Sequence, residues 1–172
     1  MKFSTRARYG LRLMLELARE LRDHDLVHLG RIAGITGLSE NYLAQLAIPL
    51  KSAGLVIGVS GKHGGYMLSR PPERIGVGEI IQAVSGEINA TECVKNPDIC
   101  LNSSFCEART IWVILSGRMT EVLDEFTLAD LIDKECLKAI REKYGYMELI
   151  FPDKVLAGVS RTTAGNRPNR KK

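Results

Sequence analysis

Apolar residues recur at three- and four-residue steps from position 5 to position 22. Leu11, Met14, Leu15, Ala18 and Leu21 would share one face, so the spacing predicts an amphipathic helix. Ser4 or Thr5 can cap its start. After a polar link, Asp23-His24-Asp25, two more helical stretches run from Leu29 to Thr36 and from Ser39 to Ala53, with Gly37 between them. Ala33, Gly37 and Leu43 have the spacing of a helix-turn-helix. A small residue lets the helices touch, glycine takes the left-handed turn, and an aliphatic residue locks the second helix. Ser39 is a good N-cap, and Glu40 suits the positive end of the helix. Leu43, Leu46 and Leu50 form the stripe to be buried, while Asn41, Ala44, Gln45 and Ile48 fall on other faces. Pro49 has no N–H to give the ladder, so a bend or the start of a new turn is expected there.

The periodicity then changes. Val56 to Val59 and Tyr66 to Leu68 are short β-like runs, with Ser60 to Gly65 as the tip between them. A hairpin directly after the second helix makes a winged helix-turn-helix. Pro71-Pro72 interrupts the chain. Val77 to Val84 returns to helical spacing with Val77, Ile80, Ile81 and Val84, and Gly86 can end that helix. The longest helix is expected over 107 to 125, where Ile111, Leu115, Met119, Val122 and Phe126 line one face beside Trp112 and Ile114. That apolar stripe exceeds what a small domain needs, which predicts packing against a second copy. Thr127 and Asp130 resemble a capping box. A last helix runs to about Lys143. Its stripe, Leu128, Ile132, Cys136 and Ile140, predicts a buried and inert Cys136, and Trp112 is likewise expected to be packing.

The expected fold is mainly α. A winged helix-turn-helix domain occupies 1–85, a cysteine-bearing loop 86–106, and a dimerisation helix with a C-terminal helix 107–145. Residues 146–172 are expected to be a basic, flexible tail ending in Arg167-Pro-Asn-Arg170-Lys-Lys172.

Composition narrows the function. The 172 residues are 45% hydrophobic but only 6% aromatic, so the core must be mainly aliphatic. A net charge of +4 permits nucleic-acid binding without requiring it. No apolar run approaches the roughly 18 residues of a membrane span, which argues against a membrane partner. Charges at Lys2, Arg6, Arg8, Arg12, Glu16, Arg19 and Glu20 leave no apolar signal core, so a cytoplasmic protein with reduced thiols is expected. There is no nucleophile–base pair, no carboxylate dyad in two environments and no HExxH, so an enzyme is not expected.

The sharpest chemistry is Cys93, Cys100 and Cys106 on one polar, turn-rich segment. Polar loops rarely use cysteines for packing. Three thiolates there suit a soft metal or an iron–sulfur group that needs one more ligand. A zinc site would favour pairs two to four residues apart with a fourth Cys or His. Here the gaps are six and five residues, and His24, His28 and His63 all lie in the other half. Unpaired thiols or a redox disulfide are the alternative. For DNA, Asn41 and Gln45 have the amide geometry for adenine N6 and N7 in the major groove. Arg6, Arg8, Tyr42, Lys51, Lys62 and His63 suit phosphate. Ser39, at the start of the second helix, and Ser60, at the wing, complete the candidate DNA-binding set.

Together these residues resemble the IscR-like family of winged-helix iron–sulfur cluster transcriptional regulators, with NsrR and CymR among its members. The resemblance runs from Met1 to about Ile132. It is carried by the Lys2 to Gly10 start, Leu38-Ser-Glu-Asn-Tyr-Leu-Ala-Gln45, Ala53-Gly-Leu-Val56 and Gly64-Gly-Tyr66. Val77-Gly-Glu-Ile-Ile81, Thr91-Glu-Cys93 through Cys106, Trp112 and Thr127-Leu-Ala-Asp-Leu131 complete it. It implies a homodimeric repressor of iron–sulfur cluster biogenesis or related stress genes, bound to a double-stranded operator. Its long helix would cross the partner's. The resemblance further implies a [2Fe–2S] cluster, with [4Fe–4S] as the alternative, on Cys93, Cys100 and Cys106, supplied by iron–sulfur assembly proteins. Where IscR completes its site with a histidine, this chain has Arg109, which stays protonated and cannot ligate. Where NsrR uses an acidic residue of the other subunit, this chain has Arg8. Glu107 is the candidate fourth ligand, with Glu92, Asp98, solvent or a small thiol as rivals. The IscR wing arginine is Ser60 here and a recognition-helix glutamate is Ala44, so a different operator preference is expected. The other reading is a cluster-free DNA-binding regulator gated by thiol oxidation or by a protein partner, as CymR-like members are. A third is an iron–sulfur carrier that leaves the wing idle.

Overall fold

The structure, a computed structural model, describes residues 3–61 and 64–144. Two compact units divide the chain, Met1–Asp133 and Lys134–Lys172. The first begins with α1, Thr5–Glu20, capped by Ser4, whose Oγ accepts from the Ala7 N–H at 3.0 Å. Next come α2, Leu29–Thr36, and α3, Glu40–Ser52. Gly37 links them at φ 72°, a left-handed conformation that costs glycine nothing and most L side chains about 1 kcal/mol or more. Ser39 caps α3 by accepting from the Tyr42 N–H at 3.3 Å. Its inner face, Leu43, Leu46, Ala47 and Leu50, is buried as the pattern predicts.

The wing is β1, Val56–Val59, paired antiparallel with β2, Gly65–Leu68, in the register Val56↔Leu68 to Val59↔Gly65. A third piece was not predicted. Val27 and Tyr66 exchange backbone hydrogen bonds of 3.0 and 2.8 Å, which ties the link before α2 to the inner strand of the wing. Arg70 then holds the foot of the wing. Its guanidinium reaches both Glu79 carboxylate oxygens at 2.7 Å and donates from Nε to the Arg74 carbonyl at 2.9 Å.

A helix α4, Val77–Ser85, packs on α1 and α3, and the shared core is aliphatic: Leu13, Met14, Leu17, Ile32, Leu43, Leu50, Leu55, Ile80 and Val84. The deepest face of α1 is Ala7, Gly10, Leu13, Met14, Leu17 and Ala18, whereas the predicted Leu11, Leu15 and Leu21 are half-buried. The cause is enclosure, because α1 meets α2, α3, α4 and the wing rather than a single flat neighbour. α3 includes Pro49 as an interior residue, and no new helix begins there.

The cysteine segment holds one short helix, α5, Glu92–Lys95, and two single 3-10 turns, Pro97–Ile99 and Ser103–Phe105. The long helix α6 spans Glu107–Asp124, and α7, Leu128–Ile132, follows with the Thr127–Asp130 capping box formed. At the junction of α6 and α7, the Val77 N–H donates to the Phe126 carbonyl at 2.9 Å and the Leu128 N–H to the Ile75 carbonyl at 2.8 Å. The end of α6 is thereby fastened to the start of α4. Leu123 and Phe126 pack with Ala7, Val77 and Ile81, but farther up only Ser116 is buried on α6. Ile111, Leu115 and Val122 of the predicted stripe are exposed, as are Ile114 and Trp112 beside it, the latter contrary to the expectation that it packs.

The last predicted helix is not continuous. Asp133 is extended at ψ 128°, and α8, Lys134–Lys143, begins anew in the second unit. That break ends the stripe from Leu128 and Ile132, and Cys136 is exposed rather than buried. The tail predicted from 146 lies outside the described residues. Among the described residues no helix is long and apolar enough to cross a membrane.

Candidate nucleic-acid interface and cysteine loop

The outer face of α3 carries Asn41 and Gln45, both exposed, and Ile48 one turn on. With leucines filling the opposite face, these residues have no inward alternative. Ala44 beside them is small and half-buried. Such an arrangement can present amide donors and acceptors to base edges in a major groove.

Basic groups flank this face. Arg6 is exposed near the start of α1 and borders one groove with Tyr42, Gln45, Ile48 and Pro49. Arg8 stacks its guanidinium 4.8 Å from the centre of the Tyr9 ring, and Tyr9 meets Tyr42 edge-on at 6.0 Å and 88°. This relay anchors Tyr42 as half-buried packing while leaving Arg8 exposed. Lys51 is exposed, and its ammonium lies along the foot of the wing beside Gly58. Ser60 is exposed at the wing tip, and the Ser39 hydroxyl already serves as the cap of α3. Lys62 and His63 lie outside the described residues.

The cysteine segment is fastened to α6 at two points. The Ala90 N–H donates to the Ser116 Oγ at 2.9 Å, and that hydroxyl donates onward to the Trp112 carbonyl at 2.7 Å. The Arg109 Nε donates to the Cys93 carbonyl at 2.9 Å. Sequence reasoning identified Arg109 only as a non-ligand and passed over Ser116. A lone serine inside the apolar stripe of α6 was the available signal. Cys93 is half-buried, with its Sγ 3.2 Å from the Thr91 Oγ1. Cys100 is exposed after the Pro97–Ile99 turn, and Cys106 is the half-buried N-cap of α6. Glu107, the candidate fourth ligand, is exposed on the first turn of α6.

Three thiols on one segment have donor chemistry that suits an iron–sulfur group, but this conformation does not gather them. Among the described residues no three His, Cys, Asp or Glu side chains converge as a metal site. The chemistry suits such a group, and the geometry shown does not hold one.

A family profile, Rrf2, described as an iron-dependent transcriptional regulator, matches residues 3–134. The chain belongs to the Rrf2 family. Among its relatives, the transcriptional regulator CymR of Bacillus subtilis is 39% identical over 131 residues, covering 76% of this chain and 89% of CymR. The regulator IscR of Aliivibrio salmonicida is 37% identical over 136 residues, covering 78% of this chain and 80% of IscR. The solved structure of T. potens IscR matches at a TM-score of 0.62 with 33% identity, covering 91% of this chain and 96% of that one. The structure of the B. subtilis global cysteine regulator CymR matches at 0.60 with 38% identity, covering 77% and 96%. This Rrf2 protein is therefore a DNA-binding transcriptional regulator with the winged-helix fold of its relatives, not an enzyme.

Proposed function

We propose that this Rrf2 regulator is a homodimeric repressor of iron–sulfur cluster biogenesis or related stress genes. An iron–sulfur cluster on Cys93, Cys100 and Cys106 controls its grip on an operator, each protomer reading one half-site with α3. The observation that supports this most is the double fastening of the cysteine segment to α6 through Ser116 and Arg109. The same helix α6 is joined to α4 at its far end. A rearrangement that brings the three thiols together must move chain between Ala90 and Glu107. It therefore pulls on the helix that carries the exposed apolar stripe. Coupling of this kind is typically about 1–3 kcal/mol, or roughly 5- to 150-fold in operator affinity. When bound, the cluster neutralises thiolate charge and fixes the loop in one shape. The preferred form is [2Fe–2S] delivered by iron–sulfur assembly proteins, with [4Fe–4S] as the alternative and Glu107 completing the ligands. The protein acts in the cytoplasm, where thiols stay reduced.

Anaerobic reconstitution followed by absorbance and footprinting tests the reading. Operator affinity should differ between metal-free and loaded protein, and Cys93→Ala should lose iron. Equal affinity in the two forms refutes the coupling, and full iron content in Cys93→Ala refutes the ligand assignment.

The solvent access of three free thiols, with Cys100 exposed and Cys93 and Cys106 half-buried, favours a second reading, a cluster-free regulator gated by thiol oxidation or a protein partner. Freshly purified anaerobic protein distinguishes them. Brown protein supports the first, and colourless protein whose DNA complex responds to diamide supports the second.

A further inference from the structure

Ile48 is 65% exposed, the most exposed aliphatic residue of α3. A single exposed isoleucine is ordinary on a protein surface. What distinguishes this one is its place. At 100° per residue, Asn41, Gln45, Ile48 and Ser52 fall within an arc of about 60° on α3, opposite Leu43, Leu46 and Leu50. Ile48 thus continues the row begun by the two amides. It also borders the same groove as Arg6, Tyr42 and Gln45. The core does not need it, because the buried face of α3 is complete without it.

We propose that Ile48 is a specificity-determining residue that reads the 5-methyl group of a thymine in the operator half-site. The inference rests on the DNA-binding role of α3 and assigns it a base preference. In the major groove, thymine alone among the four standard bases offers a methyl group. Asn41 and Gln45 present paired donors and acceptors suited to adenine, and an aliphatic neighbour complements the thymine of such a pair. Ala44 strengthens the same preference, because it supplies no carboxylate to accept from cytosine N4. The row would therefore read consecutive A·T pairs, Ile48 lying about 10 Å along the helix from Asn41, or roughly three base-pair steps.

The test uses the full chain and the tightest duplex that it selects from a randomised pool, at one fixed salt concentration. Each thymine of that duplex is replaced in turn by deoxyuridine, which deletes only the methyl. At one or two positions per half-site the replacement should weaken binding about fourfold, the factor expected for one buried methyl group. Ile48→Ala should lose about as much on the thymine duplex and should not distinguish deoxyuridine from thymine at those positions. Asn41→Ala should bind weakly yet keep the methyl dependence. Because Ile48 is exposed, Ile48→Ala should fold, which circular dichroism and an affinity equal to that of the native chain for the fully deoxyuridine-substituted duplex would verify. If no deoxyuridine position weakens the native chain, or if Ile48→Ala keeps the same thymine-to-deoxyuridine ratio, the assignment is overturned. A pool that yields no enriched duplex overturns the DNA-reading role of α3 itself, and this assignment with it.

Discussion

At Gly10 the backbone of α1 lies against Val84 of α4, and a Cβ there would stand 2.8 and 2.9 Å from the two Val84 methyl carbons. Real Cβ atoms do not tolerate that distance, and both residues are buried, so nothing nearby can swing away into solvent. Alanine has the better helix propensity by about 1 kcal/mol, yet overpacking should win here. Gly10→Ala is expected to destabilise the protein by about 1–3 kcal/mol. Val84→Ala alone leaves a cavity and also destabilises. In the double variant the two defects should compensate, with a coupling of at least about 0.5 kcal/mol by urea denaturation. Strict additivity would show that the close approach is relaxed elsewhere. This contact was not legible in the sequence, where Gly10 stands only as the last residue of the Lys2 to Gly10 start. Spacing names the residues on a face, but it does not say how near the next backbone comes.

Pro49 raises the same question for a whole element. The sequence predicts a bend or the start of a new turn there, and α3 runs on through Pro49 as an interior residue. Proline offers no N–H to the Gln45 carbonyl four residues back, and its ring crowds that carbonyl. Packing of Leu43, Leu46 and Leu50 into the core outweighs this local cost. Pro49→Ala should therefore raise stability by an amount on the order of 1–3 kcal/mol, seen as a higher denaturant midpoint with unchanged slope. A lower midpoint would show that the ring's own packing matters more than the lost hydrogen bond. Elements whose ends are set by local chemistry were legible: the Ser4 and Ser39 caps, the Gly37 turn and the Thr127–Asp130 box are where the sequence places them. The Val27–Tyr66 and Gly76–Thr127 bridges were not, because each joins single residues far apart in sequence and leaves no periodic trace. At Asp133 one extended residue broke a stripe that periodicity alone reads as continuous.

Over the whole molecule, α6 connects the candidate sensing segment to the reading domain. Its 18 residues span about 27 Å. One end is joined to α4 through Phe126, and the cysteine segment is held by Arg109 near the other end and by Ser116 midway along the helix. Between them Ile111, Ile114, Leu115 and Val122 face outward, and Ile111 and Ile114 are 60% and 55% exposed. The proposed dimer would bury this stripe against its own copy, an isologous contact in which each residue is used twice. Ile114→Asp would then bring two carboxylates into an apolar interface. Because the residue is exposed within one chain, the substitution should leave the protomer folded, with an unchanged circular dichroism spectrum. It should shift sedimentation to the monomer at micromolar concentration and weaken binding to a two-half-site operator at least tenfold. Affinity for a single half-site should change far less, since α3 is untouched. A native chain that sediments as a monomer, or an Ile114→Asp chain that remains dimeric, would remove this role from α6. The cysteine segment would then have no second reading helix to reposition.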